Sequence, residues 1–260
     1  MPREFPALTD TASAPPGRRS YLKLATWIVL LLVLTGILLA LGTWQVNRLH
    51  WKQDLIARVE ARVQGEPQAA PGRVEWAAID AADYEYRRVR TSGTFLHDDE
   101  TLVYASTVLG PGYWVVTPLK MDDGSIVLVN RGFVPTDRRK VSTRAGGNPA
   151  GPVTVTGLLR ISEPGGTLLR ANVPGEDRWY SRDVAAIASA HELQDVAPYF
   201  IDADANANPG GLPVGGLTQV KFPNSHLVYA ITWYALAAMT SGLIVYLLVF
   251  ERRRRLSSTR

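Results

Sequence analysis

Two long apolar stretches near the ends of the chain constrain its fold more than any other feature. Leu24–Val46 and Leu227–Phe250 contain no charged side chain. Each is about 23 residues long, and a helix of that length crosses the roughly 30 Å hydrocarbon core of a bilayer. The alternative is a pair of buried helices in a soluble protein, but the segment between them would have to surround both completely. We therefore predict transmembrane helices at 24–46 and 227–250.

The first apolar stretch also has features of a cleaved signal peptide. Basic residues precede it, and Ala40–Gly42 resembles a small-residue cleavage site. The apolar region of a signal peptide, however, usually spans about 7–15 residues and begins close to the N-terminus. Leu24–Val46 is longer and follows a polar, proline-rich segment. We favour a retained anchor behind a disordered tail at 1–20.

Basic residues after the second stretch predict the orientation of the chain. Arg252–Arg255 follow Phe250 almost directly, and basic residues beside a membrane span favour the cytoplasmic side. With two spans, the tail at 1–20 and the basic tail at 251–260 are both cytoplasmic. The segment 47–223 is then an extracytoplasmic domain. We expect a multi-pass protein of a bacterial inner membrane, with this domain in the periplasm.

Charge and cysteine content exclude several classes of function. The net charge is +4, but the excess of basic residues lies in the two ends, and the central segment is slightly acidic. The ends are suited to anionic lipid headgroups, and no nucleic-acid partner is indicated. The absence of cysteine excludes disulfides and thiolate chemistry.

Short β-rich stretches separated by turn residues fill much of the central segment. We predict an α+β domain dominated by antiparallel β-sheet, forming a small barrel or curved sheet. Asp183–Leu193 has helical spacing, and we interpret Asp202 and Asp204 as a polar strand end. The predicted strands are Tyr86–Phe95, Thr101–Thr107, Tyr113–Leu119, Ser125–Phe133, Val153–Ile161 and Tyr199–Asp202. Signatures of hydrolases, dehydrogenases and nucleotide-binding loops are missing, so we predict that the protein is not an enzyme.

The start of the second apolar stretch contains a candidate metal ligand. His226 shares a helical face with Tyr229 and Trp233, so an imidazole stands above aromatic rings at the edge of the membrane. Such an imidazole can ligate haem iron while the macrocycle lies against apolar helix. The same pattern also fits a polar cap on a membrane helix with ordinary interfacial aromatic anchors.

The end of the first apolar stretch contains a cation between aromatic residues. Trp44, Arg48 and Trp51 lie on one helical stripe, which predicts a guanidinium between two indoles and available to a carboxylate. An aromatic belt with a snorkelling arginine explains the same residues. His50 lies at the same boundary, and we expect that it can face His226.

These boundary residues also carry a family resemblance. The chain resembles the surfeit locus protein 1 family of cytochrome c oxidase assembly factors, with motifs in order over nearly all of 42–236 and a divergent stretch at Leu217–Pro223. The matching motifs are Gly42–Gln45 with Arg48-Leu49 and Trp51-Lys52, Tyr86–Val89 with Gly93 and Phe95, Gly112–Pro118, Val129–Pro135, Pro213–Gly216 and Asn224–Tyr234.

The resemblance implies a role in delivering haem a to the catalytic subunit of the oxidase. It implies transient contact of haem a with His226, as iron ligand, and with Trp233, Tyr229, Arg48 and Trp44. It further implies the oxidase catalytic subunit as partner, with haem a synthase as a second candidate. The alternative is a membrane scaffold or chaperone that stabilises the apo-oxidase without binding haem.

Overall fold

The computed structural model describes residues 18–258, apart from 206, 207, 209, 219 and 221. Two compact units make up the chain: one combines the two ends, up to Leu55 and from Phe222, and the other is Ile56–Lys221. Most of the tail predicted at 1–20 lies outside the described residues, and its last three residues already belong to the first helix. The last helix continues through most of the basic segment 251–260, whose final two residues are not described.

Helices dominate the two ends of the chain, and strands dominate the part between them. The α-helices are α1 (Arg18–Gln64), α2 (Ala81–Tyr84), α3 (Val184–Ala190) and α4 (His226–Ser258). The strands are β1 (Gln68–Ala69), β2 (Arg88–Phe95), β3 (Thr101–Thr107), β4 (Gly110–Met121), β5 (Ile126–Pro135), β6 (Pro152–Ile161), β7 (Gly166–Thr167), β8 (Arg170–Ala171) and β9 (Val196–Ala203). Short 3-10 helices lie at Trp76–Ala78, His97–Asp99, Thr136–Arg138, Val141–Gly147 and Pro174–Glu176.

Both terminal helices expose apolar surface that a soluble core would cover. Leu22–Gln64 and His226–Ser257 contain windows of mean hydropathy 2.7 and 1.8, and only 11% and 6% of these windows are buried. They are therefore long and apolar enough to cross a membrane, and neither is the core helix of a soluble domain. Two apolar helices thus flank a sheet-rich domain, as predicted.

A seam of regularly spaced side chains joins α1 to α4. Its members are the partly or fully buried residues Leu24, Ile28, Leu31, Thr35, Leu38, Gly42, Gln45 and Leu49 of α1 and His226, Ala230, Trp233, Ala237, Thr240, Ile244, Leu247 and Glu251 of α4. Alternate spacing of three and four residues is the heptad pattern of helices that pack side by side. The hydroxyls of Thr35 and Thr240 lie 2.8 Å apart, and those of Thr43 and Tyr234 lie 3.1 Å apart. The two helices are therefore antiparallel.

A glycine lets the helices approach closely at one point of the seam. A Cβ atom on Gly42 would lie 2.8 Å from the ring of Tyr234. Gly36, in the same helix, has no atom within 4 Å of its Cβ position. A side chain at position 42 would therefore displace the Tyr234 ring, whereas one at position 36 would meet no neighbour.

We expect Gly42→Leu to separate the helices and Gly36→Leu to leave them paired. Because the chain has no cysteine, Thr35→Cys combined with Thr240→Cys gives a single disulfide reporter of pairing. Oxidation of the double-cysteine protein in membranes should form the disulfide with Gly36→Leu and much less of it with Gly42→Leu. Equal yields in the two backgrounds would contradict this packing.

Five strands of the central unit close into a small barrel. β2 pairs with β6 on one side and with β4 on the other, and the order β2-β6-β9-β5-β4 completes the ring. β3 extends the sheet beyond β4, and β1 pairs with β2. The predicted β-rich stretches all correspond to strands, and the predicted helix Asp183–Leu193 contains α3, with Asp183 as its N-cap.

The sheet is not purely antiparallel. β9 lies between β5 and β6, antiparallel to β6 and parallel to β5. The chain leaves β6, forms the β7–β8 hairpin and α3, and only then inserts β9. Such an insertion has no signature in local residue alternation, which is why the sequence predicted only hairpins.

Residues that alternate along the strands form two apolar layers. Inside the barrel lie Val89, Leu119, Val127, Val129, Val155, Leu159, Ala197, Tyr199 and Ile201. Outside it, the opposite faces of β4, β5 and β9 pack on α3 through Val116, Leu128, Phe200, Val184 and Ile187. Burial raises the pKa of Tyr199, whose hydroxyl donates to the Pro71 carbonyl at 2.8 Å.

Asp202 is the centre of a buried ionic network and not an exposed strand end. Its carboxylate accepts from Arg160 and Arg182, each at 2.9 Å, and from the amide of Asn130 at 2.7 Å. Only 1% of its side chain is exposed. The interpretation of Asp202 as a polar strand end gives its place near the end of β9 but misses this network, because its partners come from strands and loops that the local pattern does not connect.

Candidate functional site

The predicted ligand His226 lies in the seam and has a partner from α1. It is the first residue of α4, and its Nδ1 lies 2.8 Å from Oε1 of Gln45. Gln45 is 8% exposed, so few competing water molecules reach its amide. The contact joins residues 181 positions apart in the chain.

This hydrogen bond determines which imidazole nitrogen is free. An amide oxygen is an acceptor, so Nδ1 of His226 carries the proton and donates it. In the neutral ring, Nε2 then holds the unshared electron pair. Histidines that bind metals commonly donate their second ring N–H to an oxygen acceptor in this way, which fixes the ring and increases its basicity.

Three other predicted site residues lie on one flank of the seam. In the heptad pattern His226 of α4 and Gln45 of α1 occupy equivalent positions. Tyr229 and Arg48 each follow these residues by three positions. In an antiparallel helix pair, residues at this flanking position lie on the same side of the seam. Trp44 lies on the same side of α1. Thr43 and Tyr234, which contact each other, lie on the opposite flank. The exposed fractions of Tyr229 and Trp44 are 52% and 57%, so both rings offer surface to a ligand.

The cation of this flank stacks on one indole. The guanidinium carbon of Arg48 lies 3.9 Å from the centre of the Trp51 ring. Among the described residues Arg48 forms no salt bridge and stacks on no second indole, in contrast to the predicted sandwich between Trp44 and Trp51. A second cation, the ammonium of Lys52, lies 5.3 Å from the Phe222 ring centre.

Trp233 belongs to the seam and not to the exposed flank. Its side chain is partly buried, and its indole N–H is buried with no acceptor among the described residues. Trp233 therefore lies within the helix pair, about two turns of α4 from His226.

His50 does not pair with His226. It is exposed on α1, and five residues of helix place it about 140° around the axis from Gln45, whose position faces α4. The other histidines have structural contacts in the central unit: His97 with the Pro149 carbonyl and His191 with the Thr101 hydroxyl, both at 2.9 Å.

The donor set at His226 fits a haem better than a bare metal ion. Within residues 18–258 as described, no group of three or more His, Asp or Glu side chains is arranged to hold a metal. A haem needs only one or two axial ligands from the protein, since the porphyrin supplies the rest. One free imidazole nitrogen, exposed aromatic rings and two cations match a planar apolar group with anionic substituents.

Comparison with known proteins gives the family of the chain. A profile of the SURF1 family matches residues 32–238. The chain belongs to the SURF1 family. It is 36% identical over 250 residues to surfeit locus protein 1 of Mus musculus, covering 90% of this chain and 78% of the mouse protein. It is 36% identical over 234 residues to the Homo sapiens protein, covering 84% and 75%. A SURF1-like protein of Monosiga brevicollis is 39% identical over 230 residues, covering 84% and 85%. The resemblance inferred from the motifs is confirmed.

Gln45 is the residue of the candidate site that sequence reasoning missed. It lies within the motif Gly42–Gln45 but was not assigned a role. The sequence contains a signal for it, because Gln45 is a polar residue on the apolar face of α1. If α4 packs antiparallel to α1, His226 lies at the same height along the helix pair. To recognise this signal, the residues of both helices that face each other must be known.

We expect that in Gln45→Leu the neutral imidazole of His226 populates both tautomers instead of one. The 15N shifts of the labelled ring should show Nδ1–H alone in the unmodified protein and both tautomers in the variant, because the acceptor of the Nδ1 proton is gone. Asn47→Leu, an exposed amide two residues away, is the control and should leave the shifts unchanged. Mixed tautomers in the unmodified protein would contradict the assignment.

Proposed function

We propose that this chain is a membrane-anchored assembly factor that carries haem a to the catalytic subunit of cytochrome c oxidase. The observation that carries the proposal is the Gln45–His226 hydrogen bond at 2.8 Å, which leaves one imidazole nitrogen free. Membership of the SURF1 family supports the oxidase as the assembly that is served. No feature of the relatives supports haem a synthase as a second partner. The role is one of binding and transfer, without catalysis.

The apolar exposure of α1 and α4 supports a membrane location for this site. Lipid tails would cover the outward faces of both helices, while the seam keeps their few polar contacts inside the pair. The basic residues after Phe250 favour a cytoplasmic C-terminus, so the segment between the helices lies outside. In a bacterium this orientation makes the central domain periplasmic and the anchor part of the inner membrane.

A reporter fused after Arg260 tests this topology. A cytoplasmic C-terminus predicts that green fluorescent protein fused there fluoresces and that alkaline phosphatase fused there is inactive. The same phosphatase inserted at the exposed Leu168-Leu169 turn should be active. Phosphatase activity at the C-terminus would contradict the two-span arrangement.

Each residue of the proposed site has a separate task. His226 Nε2 provides the axial ligand, and Gln45 holds the ring in the ligating tautomer. Tyr229 and Trp44 provide aromatic surface on the same flank, with Trp233 supporting the helix pair beneath. Arg48 is placed to bind a propionate by a charge-assisted hydrogen bond.

We expect His226→Ala to abolish or shift the Soret band of protein purified from a host that makes haem a. Loss of an axial ligand changes the coordination and spin state of the iron. Gln45→Leu should weaken haem affinity by about tenfold, the lower end of the effect of losing such a partner. His50→Ala is the matched control, since this histidine lies at the same helix end but faces away.

The same variants separate the carrier from the scaffold. In a strain lacking the protein, His50→Ala should restore the a-type band of membranes, and His226→Ala should not. A folded His226→Ala protein with the wild-type haem spectrum would eliminate the ligand role. If neither protein contains haem and the defect appears only in association with the oxidase subunit, the scaffold is the correct function.

A further inference from the structure

A cavity in the central unit lies beside an open strand edge. Its volume is about 560 Å³, and its lining includes Tyr86, Trp114, Arg160, Arg182 and Ser106. All of these residues belong to the unit Ile56–Lys221 and none to the helix pair. The residues that line this cavity are therefore not those of the proposed haem site.

Beside the cavity, the outer edge of β3 is occupied in part and has one outward-facing position without a backbone partner among the described residues. β3 pairs with β4 on one side. On the other, the amide of Tyr104 donates to the Trp179 carbonyl at 2.8 Å, so the amide of Tyr104 points away from β4. Residues two apart in a strand point the same way. The N–H and C=O of Ser106, which lines the cavity, consequently point away from β4 as well and have no backbone partner there among the described residues.

The floor of the cavity offers hydrogen-bond donors without excess positive charge. A guanidinium has five N–H donors. Bonds to carboxylates use two donors of Arg160 and three of Arg182. Three carboxylates, those of Asp202, Glu85 and Glu163, face these two cations. Burial lowers the pKa of Arg160, but Asp202, Tyr86 and Glu85 raise it overall. A neutral acceptor such as an amide carbonyl fits this floor better than an anion.

The walls and rim add apolar surface. The rings of Tyr86 and Trp114 line the cavity, and the guanidinium carbon of Arg160 lies 4.9 Å from the Tyr86 ring centre. Val108, which also lines the cavity, and Leu109 beside it are 74% and 54% exposed. Exposed apolar side chains beside a free strand edge are typical of sites where a partner adds a strand.

We propose that the edge of β3 at Ser106 and the adjoining cavity bind an extended, uncharged segment of a partner polypeptide by strand addition. The segment pairs its backbone with Ser106, and one of its carbonyl or side-chain amide groups accepts from Arg160 or Arg182. A neighbouring apolar side chain lies between Tyr86 and Trp114. Strand addition gives affinity through the main chain and specificity through pockets for alternate side chains.

Selection of short linear peptides from a phage-displayed library on the full-length protein in lipid nanodiscs tests this site. We expect uncharged peptides with an apolar anchor residue. Their affinity should fall at least about tenfold with Ser106→Pro, which removes the outward amide without breaking the β3–β4 ladder. Ser106→Ala keeps that amide and should bind as the unmodified protein does.

A series of N-methylated peptides gives a second readout on the unmodified protein. Methylation at every second residue should abolish binding, and methylation at the residues between should be tolerated, because only alternate amides of an added strand face β3. If Ser106→Pro does not fold, this series still tests whether the peptides bind by strand addition.

Three results would overturn the proposal. One is an acidic consensus, which would indicate an anion site. Another is binding that Ser106→Pro does not weaken or that shows no alternate sensitivity to methylation. The third is self-association of the protein that Ser106→Pro abolishes while no peptide is enriched, which would assign the edge to a second copy of the chain.

Discussion

The pairing of α1 with α4 along one seam is the interaction on which the proposed haem site depends. Inside lipid, helices gain nothing from burying apolar surface against each other, so close packing and polar contacts hold them together. Gly42 permits the close approach at Tyr234, and Thr35 with Thr240 provides a polar contact. The same register brings Gln45 to His226. A shift by one heptad position would separate the imidazole from its acceptor and leave the buried amide of Gln45 and the partly buried ring of His226 without partners.

Local patterns in the sequence were sufficient for the long helices, for the strands of the barrel and for the family, but not for the short elements β1, β7, β8 and α2. Charge-free apolar stretches predicted the two long helices, and alternation with turn residues predicted the strands of the barrel. β5, which contains the motif Val129–Pro135, shows why such segments are readable: its first nine residues are all buried, as in a strand that is covered on both faces. Antiparallel neighbours were predicted wherever short turns join consecutive strands. The parallel position of β9 was not, because it depends on a return of the chain after α3.

The residues around His226 were predicted in part, and the limits have a physical origin. Helical periodicity placed Tyr229 and Trp233 with His226, but periodicity within one helix does not say which residue faces the partner. The seam separates them: Trp233 lies inside it and Tyr229 outside. Gln45 and Asp202 were missed for a related reason, since each acts through partners far away in sequence. The buried triad of Glu100 with Arg131 and Arg144 is another such case, and burial lowers the pKa of Arg131 to about 10 despite the opposing effect of Glu100.

The insertion of β9 between β5 and β6 has a consequence for how the domain reaches its native state. β5 and β6 are synthesised before β9, so they cannot pair with it until the chain beyond α3 is present. Pairings over such long sequence separations close slowly, because the entropy of the intervening loop is lost before contacts compensate for it. Until then β5 and β6 present unpaired edges, the surfaces through which partly folded β-proteins aggregate.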